Sequence, residues 1–191
     1  MRGSVLIISG PSGVGKTKIS RAVAETLDAF LSVSVTTRPS ADIEAKGLDY
    51  KFVDPAKFDE MRQKGKFLEW SEIFGFSYGT LRQPVEHALA DGKLVILEID
   101  VEGAAEVKRQ MPECRAIFIL PPSEDTLLDR LRRRGRDTED EILTRLSIAR
   151  REIARSESSG VYDYFIFNDN LERTISEIMD WIRSEIVMTS T

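Results

Sequence analysis

Eight consecutive residues, Gly10-Pro11-Ser12-Gly13-Val14-Gly15-Lys16-Thr17, carry the spacing of a phosphate loop, with glycines at both ends of a short turn and a Lys-Thr pair closing it. The glycines let backbone N–H groups converge on phosphate oxygens, and the helix that follows adds the positive end of its dipole. Lys16 supplies a mobile point charge for β and γ phosphates, and Thr17 a hydroxyl oxygen for a magnesium ion carried with the nucleotide. A nucleoside triphosphate site follows from these residue types. The loop alone leaves open a GTPase, an ATPase and a small-molecule kinase, so the acceptor side has to decide.

A second concentration of charge lies at Arg130, Arg132, Arg133, Arg134 and Arg136, in a chain whose formal net charge is −5. That overall balance disfavours a general nucleic-acid binder, which needs a broad basic face, and makes the local arginines the more informative signal. The single histidine, His87, sits in a helical pattern and is given no catalytic role. Cys114 is the only cysteine, which excludes an internal disulfide and a cysteine-cluster metal site; it reads as a small hydrophobe beside a strand.

These groups need a scaffold, and the apolar pattern supplies one. Val5–Ile8, Leu94–Ile99, Ala116–Leu120 and Tyr164–Phe167 are short apolar runs separated by helical periodicity, the pattern of a parallel α/β sheet covered on both faces. The phosphate loop joins the first run to a helix with Ile19, Ala22, Val23 and Leu27 on one face. Helix starts are expected at Asp54-Pro55, at Thr80 with Gln83, and at Thr138 with Glu141 as a capping box. Ile142, Leu146, Ala149 and Ile153, and later Ile175, Ile178, Met179, Ile182 and Ile186, recur at helical spacing. Between Ser34 and Asp91 the rhythm breaks into shorter β-like pieces, Tyr50–Val53 and Phe67–Trp70, as an inserted subdomain would. The 191 residues suffice for one large domain or one domain with insertions. No apolar run approaches bilayer length, and Gly10-Pro11 interrupts the first one before a signal-peptide core forms, so a cytoplasmic protein without membrane contact is expected.

Further motifs appear in order after the loop: Ser34-Val35-Thr36-Thr37-Arg38, Gly47-Leu48-Asp49-Tyr50, Phe67-Leu68-Glu69-Trp70 and Phe74-Gly75-Phe76-Ser77-Tyr78-Gly79-Thr80. They continue through Glu98-Ile99-Asp100-Val101-Glu102-Gly103, Phe118–Ser123, the arginine stretch with Gly135, and Tyr162-Asp163-Tyr164 to Asn168-Asp169. With these the sequence resembles the guanylate kinase family over nearly its whole length. The resemblance implies a P-loop NTPase three-layer core (1–33, 92–120 and 160–191), a GMP-binding subdomain (34–91), and a lid with flanking helices (121–159). The implied reaction moves the γ-phosphoryl group of ATP, bound with Mg2+, to GMP and also dGMP. Another nucleoside monophosphate kinase and a guanylate-kinase-like binding module are the alternatives.

By the same resemblance, Glu69 accepts the paired N1 and N2 donors of guanine, which adenine lacks, and Ser34, Thr80 and Asp100 fall at positions near the base. Arg38, Tyr50 and Tyr78 match the clamp on the GMP phosphate. Arg130, Arg134 and Arg145 match arginines that close on the ATP phosphates, with Lys16, Arg38, Arg134 and Arg145 as the catalytic cations. Asn168 matches an adenine-side contact, and a helix N-cap is its other reading. The match departs from the family at three places. Ala41 stands where a second clamp arginine is usual, so GMP is expected to bind more weakly unless Lys46 substitutes; Glu98 replaces an Asp, and Lys18 a small hydroxyl residue.

Overall fold

In a computed structural model of the chain, residues 3–40, 50–135 and 137–187 are described. Nine strands run in chain order: β1 (Ser4–Ser9), β2 (Phe30–Leu31), β3 (Ser34–Thr36), β4 (Tyr50–Phe52), β5 (Phe67–Ile73), β6 (Phe76–Leu81), β7 (Leu94–Glu98), β8 (Arg115–Leu120) and β9 (Tyr164–Phe167). The helices are α1 (Lys16–Leu27), α2 (Pro55–Gln63), α3 (Arg82–Ala90), α4 (Val101–Gln110), α5 (Glu124–Arg133), α6 (Glu139–Ser159) and α7 (Leu171–Ile182), the last running into a π-helical stretch at Arg183–Val187.

Strands β2-β7-β1-β8-β9 form a parallel sheet with β1 at its centre. A strand flanked on both sides and covered on both faces must be apolar along its length, which is why Val5–Ile8 is an unbroken apolar run. Alternate residues feed opposite layers. Val5 and Ile7 pack with Val85 and Ala88 of α3 and Val101, Ala104 and Val107 of α4. Leu6 and Ile8 pack with Ile19 and Val23 of α1 and Ile178, Met179 and Ile182 of α7. The expected helix–sheet–helix sandwich is therefore present, with the C-terminal end of β1 opening into the phosphate loop. That is where ligands bind in open parallel sheets.

Strands β4-β3-β6-β5 form a second sheet, with β3 and β4 parallel and the other two pairings antiparallel. Its small core is Val35, Phe58 and Phe67, with the two rings stacked at 4.5 Å. Helices α5 and α6 pack together through Leu127, Leu131, Ile142, Leu146 and Ala149. The start of α6 is the expected capping box: Glu141 N–H donates to Thr138 Oγ1, and Thr138 N–H donates to the Glu141 carboxylate.

Two local expectations change, and one strand is new. Thr80 does not start a helix: it is the penultimate residue of β6, its hydroxyl is committed to Glu69, and α3 begins at Arg82 after Leu81 without a side-chain cap. The N-cap of α7 is Asn170, which accepts from Arg173 N–H, so the capping reading of Asn168 does not hold. The two-residue edge strand β2 was too short to leave a pattern in the sequence.

Candidate active site

The phosphate loop takes its shape from residues that tolerate positive φ. Gly15, the residue before α1, has φ 106°, and a Cβ there would lie 2.7 Å from the Asn168 side-chain nitrogen. A side chain at position 15 would thus be strained twice, by backbone and by contact. Lys16 reaches back over the loop and donates to the carbonyls of Gly10 (2.5 Å) and Pro11 (3.0 Å). Desolvation at the cleft floor holds its ammonium below the usual lysine range, while Glu152 and Glu98 pull in the other direction. The Thr17 hydroxyl donates to Glu98 Oε1 at 2.8 Å, and burial raises the Glu98 carboxyl above the ordinary carboxylate value.

Two side chains brace the loop from behind. Asn168, 5% exposed, donates from Nδ2 to Val14 O at 2.7 Å, and its Oδ1 accepts from Thr174 Oγ1 at 3.2 Å. Arg130 donates to the Asn168 carbonyl (2.7 Å) and the Val14 carbonyl (3.3 Å). Both amide atoms of Asn168 are occupied in holding the loop against β9 and α7. Arg134, at the C-terminus of α5, is exposed and faces the cleft. Arg145 on α6 is ion-paired to Asp137 at 3.1 Å, and its guanidinium carbon lies 4.6 Å from the centre of the Phe74 ring.

The opposite wall belongs to the second sheet. Glu69 on β5 is 5% exposed; its Oε1 accepts from both Thr80 N–H (3.0 Å) and Thr80 Oγ1–H (2.5 Å). The other oxygen, Oε2, lies where a Cβ on Gly103 would come within 2.4 Å, so the first turn of α4 can approach the carboxylate only with glycine there. Burial pushes the Glu69 carboxyl up to about 7, against the pull of Thr80 and with Asp100 adding repulsion. Asp100 caps α4 through Gly103 N–H at 2.7 Å and accepts from Ser71 Oγ at 2.5 Å. Nearer the mouth, the Arg38 guanidinium carbon lies 5.6 Å from the centre of the Tyr50 ring, which meets Tyr78 edge-on at 5.9 Å.

These two walls enclose a cleft of about 1110 Å³. Of the residues given a catalytic, nucleotide-binding or metal role from sequence, all but Pro11 and Thr80 line it. Pro11 contributes a carbonyl behind Lys16, and Thr80 backs Glu69. Positions 41 and 46, which bear on the missing clamp arginine, lie outside the described residues. Ser71, Asp137 and Glu152 also line the cleft and went unnoticed in the sequence; Phe74, quoted there only within a motif, lines it too. Glu152 was the most findable: it follows Arg145 by seven residues, two helical turns along the same face of α6. Burial raises its carboxyl to about 7, with Lys16 pulling it down. His87 is exposed on α3 and does not line the cleft. Cys114 is buried, and burial pushes its thiol up to about 11.

Magnesium fits the loop chemically, since Thr17 and Glu98 present hard oxygens side by side, and the burial-strained Glu98 carboxylate gains from a nearby cation. Among the described residues no group of three His, Cys, Asp or Glu side chains could hold a metal alone, so phosphate oxygens would have to complete the coordination. Among the described residues, no helix is long and apolar enough to cross a membrane.

A phosphate loop at the end of a central parallel strand, facing a separately built wall with a buried carboxylate, defines the class: a P-loop α/β nucleotide-binding enzyme. Comparison with known proteins narrows the class. The family model for guanylate kinase matches residues 2–185, and the chain belongs to the guanylate kinase family. A guanylate kinase of Anaeromyxobacter dehalogenans is 43% identical over 185 residues, covering 96% of this chain and 81% of that protein. One from Thermosynechococcus vestitus is 45% identical over 174 residues, 91% of this chain and 90% of the other. The crystal structure of guanylate kinase from Anaplasma phagocytophilum superposes with a TM-score of 0.80 at 34% identity, covering 96% of this chain and 86% of that one. At 12% identity, a tRNA isopentenylpyrophosphate transferase of Bacillus halodurans shares the fold alone, with a TM-score of 0.63.

Proposed function

We infer that this cleft transfers the γ-phosphoryl group of ATP to GMP, giving ADP and GDP, with the donor on the phosphate loop and the acceptor against Glu69. The observation that carries the assignment of walls is the state of the Glu69 carboxylate: one oxygen saturated by Thr80, the other left beside Gly103. A buried acceptor of that kind suits a base edge with adjacent N–H donors and penalises one that presents a lone pair. Ser34 on β3 and Asp100, which accepts from Ser71 of β5 at the start of α4, line the same cleft as Glu69, and Arg38, Tyr50 and Tyr78 would take the 5′-phosphate of the acceptor.

A phosphate monoester is already a nucleophile at neutral pH, so the site needs alignment and charge neutralisation more than a general base. Lys16 exchanges its two carbonyl partners for β and γ phosphate oxygens, which are stronger acceptors. Arg38 fixes the attacking phosphate, while Arg134 and Arg145 meet the transferring group from the lid side and displace water as the walls approach. Thr17 and Glu98 would hold Mg2+, which would supply positive charge to offset that on the donor phosphates. Asn168 and Arg130 serve the donor nucleotide by holding the loop that binds it. The division into core, 34–91 and 121–159 corresponds, in this reading, to parts that close on one another.

The test is ADP production with GMP, dGMP, AMP, UMP and CMP as acceptors. Fastest turnover with GMP is expected. Faster turnover with AMP, or an inert protein, would overturn the assignment.

A further inference from the structure

At the tip of the β5–β6 hairpin, Phe74 has φ 55° and Gly75 φ 75°. Two successive positive-φ residues make the tight hairpin turn that favours Asn-Gly or Asp-Gly, and a bulky side chain at the first position is disfavoured there. Phe74 is also one of the few large apolar side chains left open, at 37% exposure. Neither the turn nor a core accounts for a phenylalanine in this place. Its ring face accounts for it: the Arg145 guanidinium carbon lies 4.6 Å from the ring centre.

Arg145 comes from α6, on the lid side, whereas the hairpin carries Glu69, Tyr78 and Thr80. Asp137 holds the guanidinium along one edge, with Nε and Nη2 each 3.1 Å from a carboxylate oxygen. Phe74 covers one face. A planar fork fixed by an edge and a face has its Nη1 edge left to meet a phosphate oxygen, and it has lost most of the freedom that an arginine would otherwise surrender on binding.

We propose that Phe74 positions Arg145: the strained hairpin turn holds out a ring that seats the guanidinium over the cleft, and so ties the wall carrying Glu69 to the lid arginine. The inference rests on the role given to Arg145 above and deepens it. It makes the hairpin responsible for acceptor recognition and for aligning a cation from the other side of the cleft.

The test compares Phe74→Asn, Phe74→Tyr and Phe74→Leu in the full chain, with kcat, KM for GMP and ATP, and thermal midpoint measured for each. Asn suits the positive-φ position, so the midpoint of Phe74→Asn should be unchanged or higher even though its kcat falls about fivefold, the loss expected from one partly exposed cation–ring contact. KM for GMP should stay within twofold. Phe74→Tyr should restore kcat, and Phe74→Leu, which keeps apolar bulk without a ring, should not. In an Arg145→Met background, Phe74→Asn should change kcat by less than twofold. Kcat of Phe74→Asn within twofold of the unmutated protein, an equal loss in Phe74→Tyr, or an undiminished loss in the Arg145→Met background would each overturn the proposal. An Arg145→Met protein as active as the unmutated one would instead overturn the role of Arg145 itself, and the proposal with it.

Discussion

Replacing Glu69 by Gln should move activity and stability in opposite directions. The amide is the same size as the carboxylate, and its oxygen can keep both bonds from Thr80. Its nitrogen then takes the place of Oε2, beside Gly103, and points N–H groups where guanine also points N–H groups. A charge-assisted bond is lost and a donor faces a donor, which costs about 1.5–3 kcal/mol, or roughly 10- to 150-fold in kcat/KM for GMP. Stability follows from linkage. Burial raises the folded-state carboxyl to about 7, above the ordinary carboxylate value of 4.5, so the folded protein holds that proton more tightly than the unfolded chain. The stability present below pH 4.5 is therefore lost as pH rises to 7, by up to about 3 kcal/mol for a fully buried group. Gln carries no such penalty. The unliganded variant should melt several degrees higher than the unmutated protein at pH 8 and close to it at pH 5, as read by calorimetry. The unmutated protein should also lose kcat/KM for GMP as pH falls through 7, beyond the part due to protonation of the GMP phosphate, and the variant should lack that excess. A variant with kcat/KM within threefold of the unmutated protein, or a midpoint at pH 8 that falls, would refute the reasoning.

Two other substitutions probe the walls separately. Gly103→Ala places a methyl group 2.4 Å from Glu69 Oε2 in a helix that otherwise gains about 1 kcal/mol from alanine; steady-state kinetics should show kcat/KM for GMP down at least about tenfold, as a displaced charge-assisted bond implies, with KM for ATP little changed. Asn168→Ala removes the closer of the two donors to the Val14 carbonyl, leaving Arg130 at 3.3 Å. A loss of about 1–3 kcal/mol in denaturant unfolding is expected, together with a KM for ATP that rises more than that for GMP.

Much of this could be read from residue order alone because the relevant signals are local. The phosphate loop needs its glycines, lysine and threonine within eight positions, and β1 and β8 are apolar runs because both sheet faces are covered. The carboxylate wall became legible only through the family resemblance, since Glu69, Thr80 and Gly103 are brought together by strand pairing and helix approach that no single window contains. Thr80 illustrates the difficulty: a threonine followed three residues later by a glutamine looks like a helix start, yet the hydroxyl is better satisfied by a buried carboxylate across the hairpin. Asn168 lines the cleft, but its partners are 154 residues away in Val14 and six residues on in Thr174, so its bracing role was invisible. Phe74 stood in a quoted motif without a role of its own, because positive φ is a property of the backbone, not of the residue name.

The account depends on a carboxylate that counts the donors on the acceptor base. IMP keeps guanine's N1–H and lacks the exocyclic amino group, so the ratio of kcat/KM for GMP to that for IMP measures the counting and cancels differences in protein quality. The unmutated protein should prefer GMP by at least about tenfold, the value of one hydrogen bond to a charged group, and Glu69→Gln should bring the ratio close to one. An equal ratio in the two proteins would contradict the account, because the base would then be chosen by something other than this side chain.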